Sequence, residues 1–402
     1  MNRENRLLIV ILIVLTVGVL ATGALVAYAA LTRGREAANP AEPAESLTLL
    51  LTPTAPATES RIAYATDQSE EDELTAIYSI ASDGSDPRRV AGSENGACVW
   101  PVWSPDGQRI AYLIQSPREG KALGSDDVLE VWVAAADGSR SIRVSDVITE
   151  VLAAHWTIVT WSPGGTRLAF VAGPEAGRGT TVYVVRADGS GVERHIPLDW
   201  TVHRVLWSPA GDELLFLPYT SSDEKGVYVL DLDEQRAEQV YPNVRTVDWY
   251  AQTADWSPDG TEFVVGIDLS QQVVIVGRDG EARWAAQLDA FPIDVAWSPD
   301  GARIAVATAS SPQQNAHALH VISLDAGTLA TIVDYEDTSI FRPNWSPDGK
   351  RLLFSTIYDR RDGVPDPVDW PASTLWAYDV TSGEMAQLTP GVMHDGMGAW
   401  SP

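Results

Sequence analysis

The sequence predicts an all-β protein, a seven-bladed β-propeller, preceded by a single N-terminal transmembrane helix. Three observations support this prediction: the string Trp-Ser-Pro occurs seven times, each copy except the last leads into an apolar strand, and an uncharged apolar stretch lies near the N-terminus. A hydrophobic content of 45% is ordinary for a globular protein. In chain order we predict a short tail at 1–6, a transmembrane helix at 7–31, a linker at 32–58 and the propeller at 59–402.

The N-terminal segment 7–31 is a run of 25 residues without a charge. About 20 apolar residues suffice to cross the hydrocarbon core of a bilayer, so this run predicts a membrane-spanning helix. Signal peptides have apolar regions of roughly 7 to 15 residues, which favours a retained anchor, although Ala27-Tyr28-Ala29 leaves cleavage open as the alternative. Because a short tail precedes the long apolar run, we expect a single-pass protein with its propeller on the extracytoplasmic side.

The segment 32–58 is rich in Pro, Ala and Thr and has no amphipathic period. Such a composition is typical of a semi-extended linker. We therefore expect it to separate the membrane helix from the repeats.

Repeats dominate the region 59–402. Consecutive Trp-Ser-Pro copies are 41 to 58 residues apart, a spacing typical of propeller blades. Their tryptophans are Trp103, Trp161, Trp207, Trp256, Trp297, Trp345 and Trp400. Most copies continue with Asp-Gly, as in Pro105-Asp106-Gly107, which supplies the backbone conformations of a tight turn between two strands. Two more strands follow in each unit, and four short strands per unit predict one blade.

The two ends of the repeat region complement each other. The stretch Arg61-Ile62-Ala63-Tyr64 resembles a second strand that lacks its Trp-Ser-Pro strand, whereas the chain ends on such a strand at Trp400. We expect the C-terminal strand to complete the first blade and close the ring, which removes exposed sheet edges. This closure gives seven blades, with six as the alternative count.

The strings W-S-P-D-G-x-R-I-A-F and Y-V-x-x-x-D-G resemble the WD-like repeats of TolB-type β-propellers across residues 59–402. This resemblance implies an extracytoplasmic protein that binds partners in the cell envelope, often through one mouth of the ring. The sequence departs from that family because TolB has six blades and a separate α/β domain. A resemblance in fold does not by itself assign a function.

Local catalytic motifs are missing from the sequence, which contains neither G-x-S-x-G nor H-E-x-x-H. A single cysteine, Cys98, excludes an intramolecular disulfide and a Cys-rich metal site. A net charge of -27 disfavours nucleic acid as a partner. The six histidines are scattered, and we expect them to be structural or solvated. The sequence therefore predicts no enzyme activity and no cofactor.

Aromatic, Arg and His side chains recur in the segments that lead into the innermost strands. These residue types are favoured at binding hot spots, and in a propeller the segments all reach one end of the central channel. The predicted partner-binding residues at this mouth are Trp156, Trp200, His203, Arg204, Trp249, Tyr250, Phe291, Phe341, Arg342 and His394. The alternative is that the aromatic side chains pack between blades.

An acidic loop in the last blade, with Asp359, Asp362 and Asp366, offers oxygen ligands of the kind that Ca²⁺ takes. It lacks the D-x-D-x-D-G spacing of a calcium loop, so we expect a solvated loop without a metal.

The sequence thus predicts a membrane-tethered, extracytoplasmic propeller that acts as a non-catalytic scaffold or adaptor for a protein or peptide of the cell envelope. The alternative is a propeller that binds a glycan or small ligand, or catalyses a hydrolase or lyase reaction with His and acidic residues at the channel mouth. Carboxylates and His that converge in a deep pocket would favour the alternative.

Overall fold

The chain divides into two units, residues 1–54 and 55–402. The computed structural model describes residues 60–66, 75–116, 128–147, 152–153, 158–173, 179–218, 226–242, 244, 253–267, 270–311, 314–335, 338–358, 373–390 and 396–402. The predicted tail, membrane helix and linker lie outside these ranges, so their boundaries stay predictions. Within the described ranges, no helix is long and apolar enough to cross a membrane.

The described residues of the second unit form seven antiparallel sheets. The strands of the first three blades are β1 (Arg61–Thr66), β2 (Ala76–Ala81), β3 (Arg88–Ala91), β4 (Ala97–Trp103), β5 (Arg109–Ser116), β6 (Val128–Ala135), β7 (Ser141–Arg143), β8 (Leu152–Ala153), β9 (Thr160–Trp161), β10 (Arg167–Ala172), β11 (Thr180–Arg186) and β12 (Val192–Leu198). Those of the fourth and fifth are β13 (Val202–Trp207), β14 (Glu213–Pro218), β15 (Gly226–Asp231), β16 (Arg236–Pro242), β17 (Ala254–Trp256), β18 (Glu262–Ile267), β19 (Gln272–Gly277) and β20 (Ala282–Gln287). Those of the sixth and seventh, with the closing strand, are β21 (Phe291–Trp297), β22 (Arg303–Ala309), β23 (Ala318–Ser323), β24 (Thr328–Asp334), β25 (Thr338–Trp345), β26 (Arg351–Tyr358), β27 (Ser373–Asp379), β28 (Met385–Gln387) and β29 (Gly396–Trp400).

Within blades two to seven the four main strands pair in chain order, and in every blade the Trp-Ser-Pro strand is innermost. The second strand is enclosed by neighbouring blades on both faces, which explains its continuous apolar sequence: β10 is buried along nearly its whole length. The outermost strand faces solvent, and most of β24 is exposed. The first strands of successive blades contact one another and line the centre of the ring.

The C-terminal strand closes the ring as predicted. β29 pairs with β1, placing Trp400 opposite Ile62, and the first blade has the strand order β29-β1-β2-β3. Beyond the strand, the Ser401 N–H donates to the Arg61 carbonyl at 2.7 Å, and the Arg61 N–H donates to the Ser401 hydroxyl at 2.7 Å. The seven-bladed propeller is thereby confirmed, and the count of six is wrong.

Five of the seven repeated tryptophans join their blade to the preceding one. The Trp161 indole N–H donates at 3.0 Å to the carbonyl of Val102, the residue before the Trp of the preceding blade. The same bond recurs along the ring from Trp207, Trp256, Trp345 and Trp400. An arginine at the start of the second strand adds a contact between the same two blades. The Arg109 guanidinium of blade two lies 5.0 Å from the Trp161 ring of blade three and donates to the Gly165 carbonyl of blade three at 2.7 Å. We call the indole bond and this arginine contact together the joint between two blades.

Candidate functional site

Charged side chains lie on the innermost strands of blades four to seven, at the centre of the ring. The third residue before each Trp of Trp-Ser-Pro is Arg204 in blade four, Asp294 in blade six and Arg342 in blade seven. A β-bulge interrupts the pairing of the first two strands at or beside each of these positions. Because a bulge re-aims the side chains of its strand, we take it as the local cause of this arrangement.

Arg342 reaches across the centre of the ring. Its guanidinium carbon lies 3.6 Å from the centre of the Trp100 ring, although Trp100 belongs to blade two and blade one lies between the two blades. Both residues have positive φ angles, 62° at Trp100 and 52° at Arg342, which are uncommon for side-chain-bearing residues. The Arg342 N–H also donates to an Asp294 carboxylate oxygen at 3.2 Å. Two strained backbone positions therefore hold a cation–π contact that fills part of the channel.

Arg204 is a cation of this site with two unused hydrogen-bond donors. Its Nε and Nη1 atoms are buried and meet no hydrogen-bond acceptor among the described residues. Burial lowers the pKa of Arg204, while the nearby carboxylates of Asp294 and Asp255 act in the opposite direction. A buried N–H without an acceptor is costly, so an acceptor supplied by water or a ligand would be stabilised here.

Asp255 lies directly before Trp256 on the innermost strand of blade five. Burial raises the pKa of its carboxyl to about 6, against the opposing effects of Arg204 and of two backbone N–H groups. Those N–H groups belong to Trp297, at 2.9 Å, and to Trp256, at 3.0 Å. The carboxyl thus changes charge near neutral pH in the centre of the ring.

The joint between blades five and six differs from the others at Asp255. The Trp297 indole N–H donates to Gly301 of its own turn instead of to the preceding blade. Glu262 stands where blade two has Arg109, and within the described residues no arginine lies over the Trp297 ring. The Asp255 carboxylate, which binds the backbone N–H of Trp297, is thus a distinctive link between these two blades.

The structure describes six of the ten predicted mouth residues. Trp200 packs on Tyr228, with ring centres 4.8 Å apart, and is therefore part of the apolar core between blades three and four. Phe291 and Phe341 are half-buried at the first and fourth positions of β21 and β25. His203 belongs to β13, and Arg204 and Arg342 are the residues described above. Outside the described residues lie Trp156, Trp249, Tyr250 and His394.

Sequence reasoning missed Asp255; Trp100 and Asp294 lie in the segments that lead into the innermost strands but are not among the ten predicted binding residues. A column-by-column comparison of the seven repeats would have pointed to two of them, because Asp255 is the one acidic residue directly before a repeated Trp and Asp294 is the one acidic residue three positions before. Among the described residues, no group of three or more His, Cys, Asp or Glu side chains could hold a metal ion. The Ca²⁺ candidates Asp359, Asp362 and Asp366 lie outside those residues.

Comparisons with known proteins support the fold and leave the function open. No family model matches the chain. An uncharacterised protein of Agrobacterium fabrum is 28% identical over 209 residues, 50% of this chain and 64% of that protein. A protein of Bacillus subtilis described as an uncharacterised peptidase, YuxL, is 24% identical over 230 residues, 57% of this chain and 29% of that protein. The chain therefore spans less than two thirds of either curated relative.

Solved structures with the same architecture include TolB from Acinetobacter baumannii, with a TM-score of 0.51 and 16% identity over 85% of this chain and 67% of that one. The periplasmic gluconolactonase PpgL of Pseudomonas aeruginosa has a TM-score of 0.55 and 18% identity over 85% of this chain and 99% of that one. At these identities the likeness shows the fold alone. The chain has a TolB-like β-propeller fold with seven blades.

Proposed function

We propose that the protein is a membrane-tethered, extracytoplasmic propeller that captures a carboxylate-bearing segment of another protein at its channel. One observation carries this proposal: Arg204 holds two buried N–H donors without an acceptor among the described residues, on the inner face of a closed ring. A carboxylate, from a peptide C-terminus or an acidic side chain, pairs with a guanidinium through two parallel hydrogen bonds. No chemistry at the channel is required for such capture.

The tether and the extracytoplasmic location rest on the apolar segment 7–31 and on the short tail 1–6 that precedes it. A tethered ring with a binding channel fits a scaffold or adaptor of the cell envelope. The acidic character of the chain, with a net charge of -27, leaves Arg204 and Arg342 as local cations that select where an acidic segment docks.

A photo-crosslinker tests the proposal. We would replace Phe291, at the start of β21, with benzoylphenylalanine in the full chain and irradiate native membranes; the matched control carries the same group at Met385, which is exposed on the outermost strand of blade seven. We expect discrete adducts from position 291 and none shared with position 385. Arg204→Gln should reduce adduct formation by about 10- to 100-fold, because a charge-assisted hydrogen bond contributes roughly 1.5–3 kcal/mol. Adducts that are unchanged in Arg204→Gln would refute the proposal.

A second candidate is a small polar ligand, bound or transformed in the channel. Asp255, with a pKa of about 6 close to Arg204, is the kind of carboxyl that serves as a general base. One of the proteins with a similar fold, PpgL, is described as a periplasmic gluconolactonase. A thermal-shift titration with gluconate and gluconolactone distinguishes the candidates: a rise in Tm that Asp255→Asn abolishes favours the small ligand, and no rise favours the adaptor.

A further inference from the structure

Blade six carries a hydrogen-bonded chain of Ser310, His317 and Asp334. The Ser310 hydroxyl lies 2.6 Å from Nε2 of His317, and Nδ1 of His317 lies 3.2 Å from an Asp334 carboxylate oxygen. When Nδ1 carries the proton and donates it to Asp334, Nε2 is free to accept the Ser310 proton. A nucleophile, a base and a carboxylate that orients the base are thus in the order used for nucleophilic catalysis by serine.

Backbone hydrogen bonds fix the histidine between two strands. The His317 N–H donates to the Thr308 carbonyl at 2.8 Å, and the His317 carbonyl accepts from the Tyr335 N–H at 3.0 Å. Ser310 follows the last residue of β22, and Asp334 is the last residue of β24. The three side chains therefore come from three consecutive chain segments at one end of the blade, and the sheet sets their separation.

This end of the blade is accessible and lies beside the channel mouth. Ser310 is exposed, and the His317 side chain keeps 25% of its surface accessible. In the first two strands Phe291 pairs with Ala309, so Ser310 lies one residue beyond the predicted mouth residue Phe291. A substrate can therefore reach the hydroxyl from the same side as a partner entering the channel.

A second histidine, His320, is not part of the hydrogen-bonded chain of Ser310, His317 and Asp334. His320 is hydrogen-bonded to the Thr308 hydroxyl at 2.9 Å and to the Thr331 hydroxyl at 3.1 Å. Burial lowers the pKa of His320, which keeps this imidazole neutral. It therefore adds no positive charge that would oppose protonation of His317 during a reaction.

We propose that Ser310 is a nucleophile for acyl transfer from small carboxylic esters, with His317 as its general base and Asp334 as the positioning residue. The Ser310 oxygen forms a bond to the ester carbonyl carbon as its proton passes to Nε2 of His317. The bond from that carbon to the alkoxy oxygen breaks, and His317 returns the proton to the departing alcohol. Water then attacks the acyl-serine and gives its proton to His317. The carbonyl carbon's bond to Ser310 breaks, the serine oxygen recovers the proton, and the acid is released. No oxidant or reductant is needed.

This activity is separate from capture at the channel. Capture depends on Arg204 of blade four, whereas acyl transfer depends on residues of blade six that the predicted binding set does not include. Either proposal can therefore fail while the other holds.

The test uses the full chain in detergent and a biotinylated fluorophosphonate, which phosphonylates an activated serine with loss of fluoride. We expect a single adduct, assigned to Ser310 by peptide mass spectrometry. Ser310→Ala should abolish labelling, and His317→Gln should slow it by at least roughly 100-fold, the usual contribution of a general base. Ser311→Ala, the adjacent serine, and His320→Gln are matched controls that should label at the wild-type rate.

The role of Asp334 is tested by a measurement that a purely structural role would not affect. Asp334→Asn should slow labelling at unchanged Tm, and Asp334→Glu, which keeps the carboxylate, should restore part of the rate. Hydrolysis of p-nitrophenyl acetate should follow the same order of variants. Absence of a Ser310 adduct on the wild-type chain would overturn the proposal without relying on any variant. Equal labelling of wild type and His317→Gln would also overturn it.

Discussion

The raised pKa of Asp255 predicts how the free energy of unfolding depends on pH. Its carboxyl has a pKa of about 6 in the folded protein against an ordinary value of 3.8. The folded state therefore binds more protons than the unfolded state between these two values, so wild-type stability falls as the pH rises through this window. The difference corresponds to about 3 kcal/mol, at 1.36 kcal/mol for each pKa unit.

Asp255→Asn removes this dependence. The amide cannot ionise, so the free energy of unfolding of the variant, relative to wild type, should rise by about 2.4 kcal/mol between pH 4 and pH 7, the part of the full difference that falls in this range. A constant loss is superimposed, because the two carboxylate oxygens accept from Trp297 and Trp256, whereas an amide has one acceptor oxygen. That loss, about 1 kcal/mol, is the same at every pH and does not alter the slope.

Urea denaturation at several pH values, followed by tryptophan fluorescence, measures this difference. Asp289→Asn is the matched control, since Asp289 is an exposed aspartate at the end of blade five. A pH-independent difference for Asp255→Asn would refute the reasoning, because it would mean that the Asp255 carboxyl titrates alike in both states. A difference of the opposite sign would mean that Arg204 lowers the pKa of Asp255 by more than burial raises it.

Three further predictions follow from the packing of the ring. Cys98 is fully buried and burial raises its pKa to about 12, so a thiol reagent should modify it only on unfolding, as measured by absorbance with and without guanidinium. Trp400→Phe should cost about 1 kcal/mol through loss of the indole bond to Asn344, whereas deletion of residues 398–402 opens the ring and should abolish cooperative unfolding in urea. Arg278→Ala removes the guanidinium that lies 5.2 Å from the Trp256 ring and should lower the free energy of unfolding by about 1–2 kcal/mol. Adding Glu213→Arg places an arginine where blade two has Arg109, and in the same assay it should restore part of the lost stability.

Blade number and ring closure could be predicted from the sequence because their determinants are local. In each Ser-Pro-Asp-Gly turn the serine hydroxyl bonds to the aspartate two residues later, as from Ser104 to Asp106 at 2.5 Å, and Gly107 has a φ of 65°. These contacts need no information from elsewhere in the chain, so every copy can be recognised by itself. The closing strand could be predicted as well, because the two ends of the repeat region carry complementary parts of one blade.

The sequence predicts Arg204 and Arg342 as mouth residues, but the geometry of the candidate sites could not be predicted because it arises from pairing between distant segments. The bulges that aim Arg204 and Arg342 are not visible in a simple alternation of apolar and polar residues. His317 was expected to be structural because its neighbours in sequence offer no chemistry; Ser310 and Asp334 are 7 and 17 residues away and meet it through the strands. Such a triad is recognised by geometry and not by a string.

Departures from the repeat occur in blades four to six, and in blade two the Trp103 indole N–H meets no acceptor among the described residues. Blade four has unused donors on Arg204 and carries Glu213 in place of the joint arginine, blade five carries Asp255 and Glu262, and blade six lacks the inter-blade indole bond. Local conflicts with an otherwise consistent fold are expected where residues serve a function. Because blade six also holds the chain of Ser310, His317 and Asp334, we infer that the function of this propeller depends mainly on side chains of blades four to six, together with Arg342 of blade seven and Trp100 of blade two.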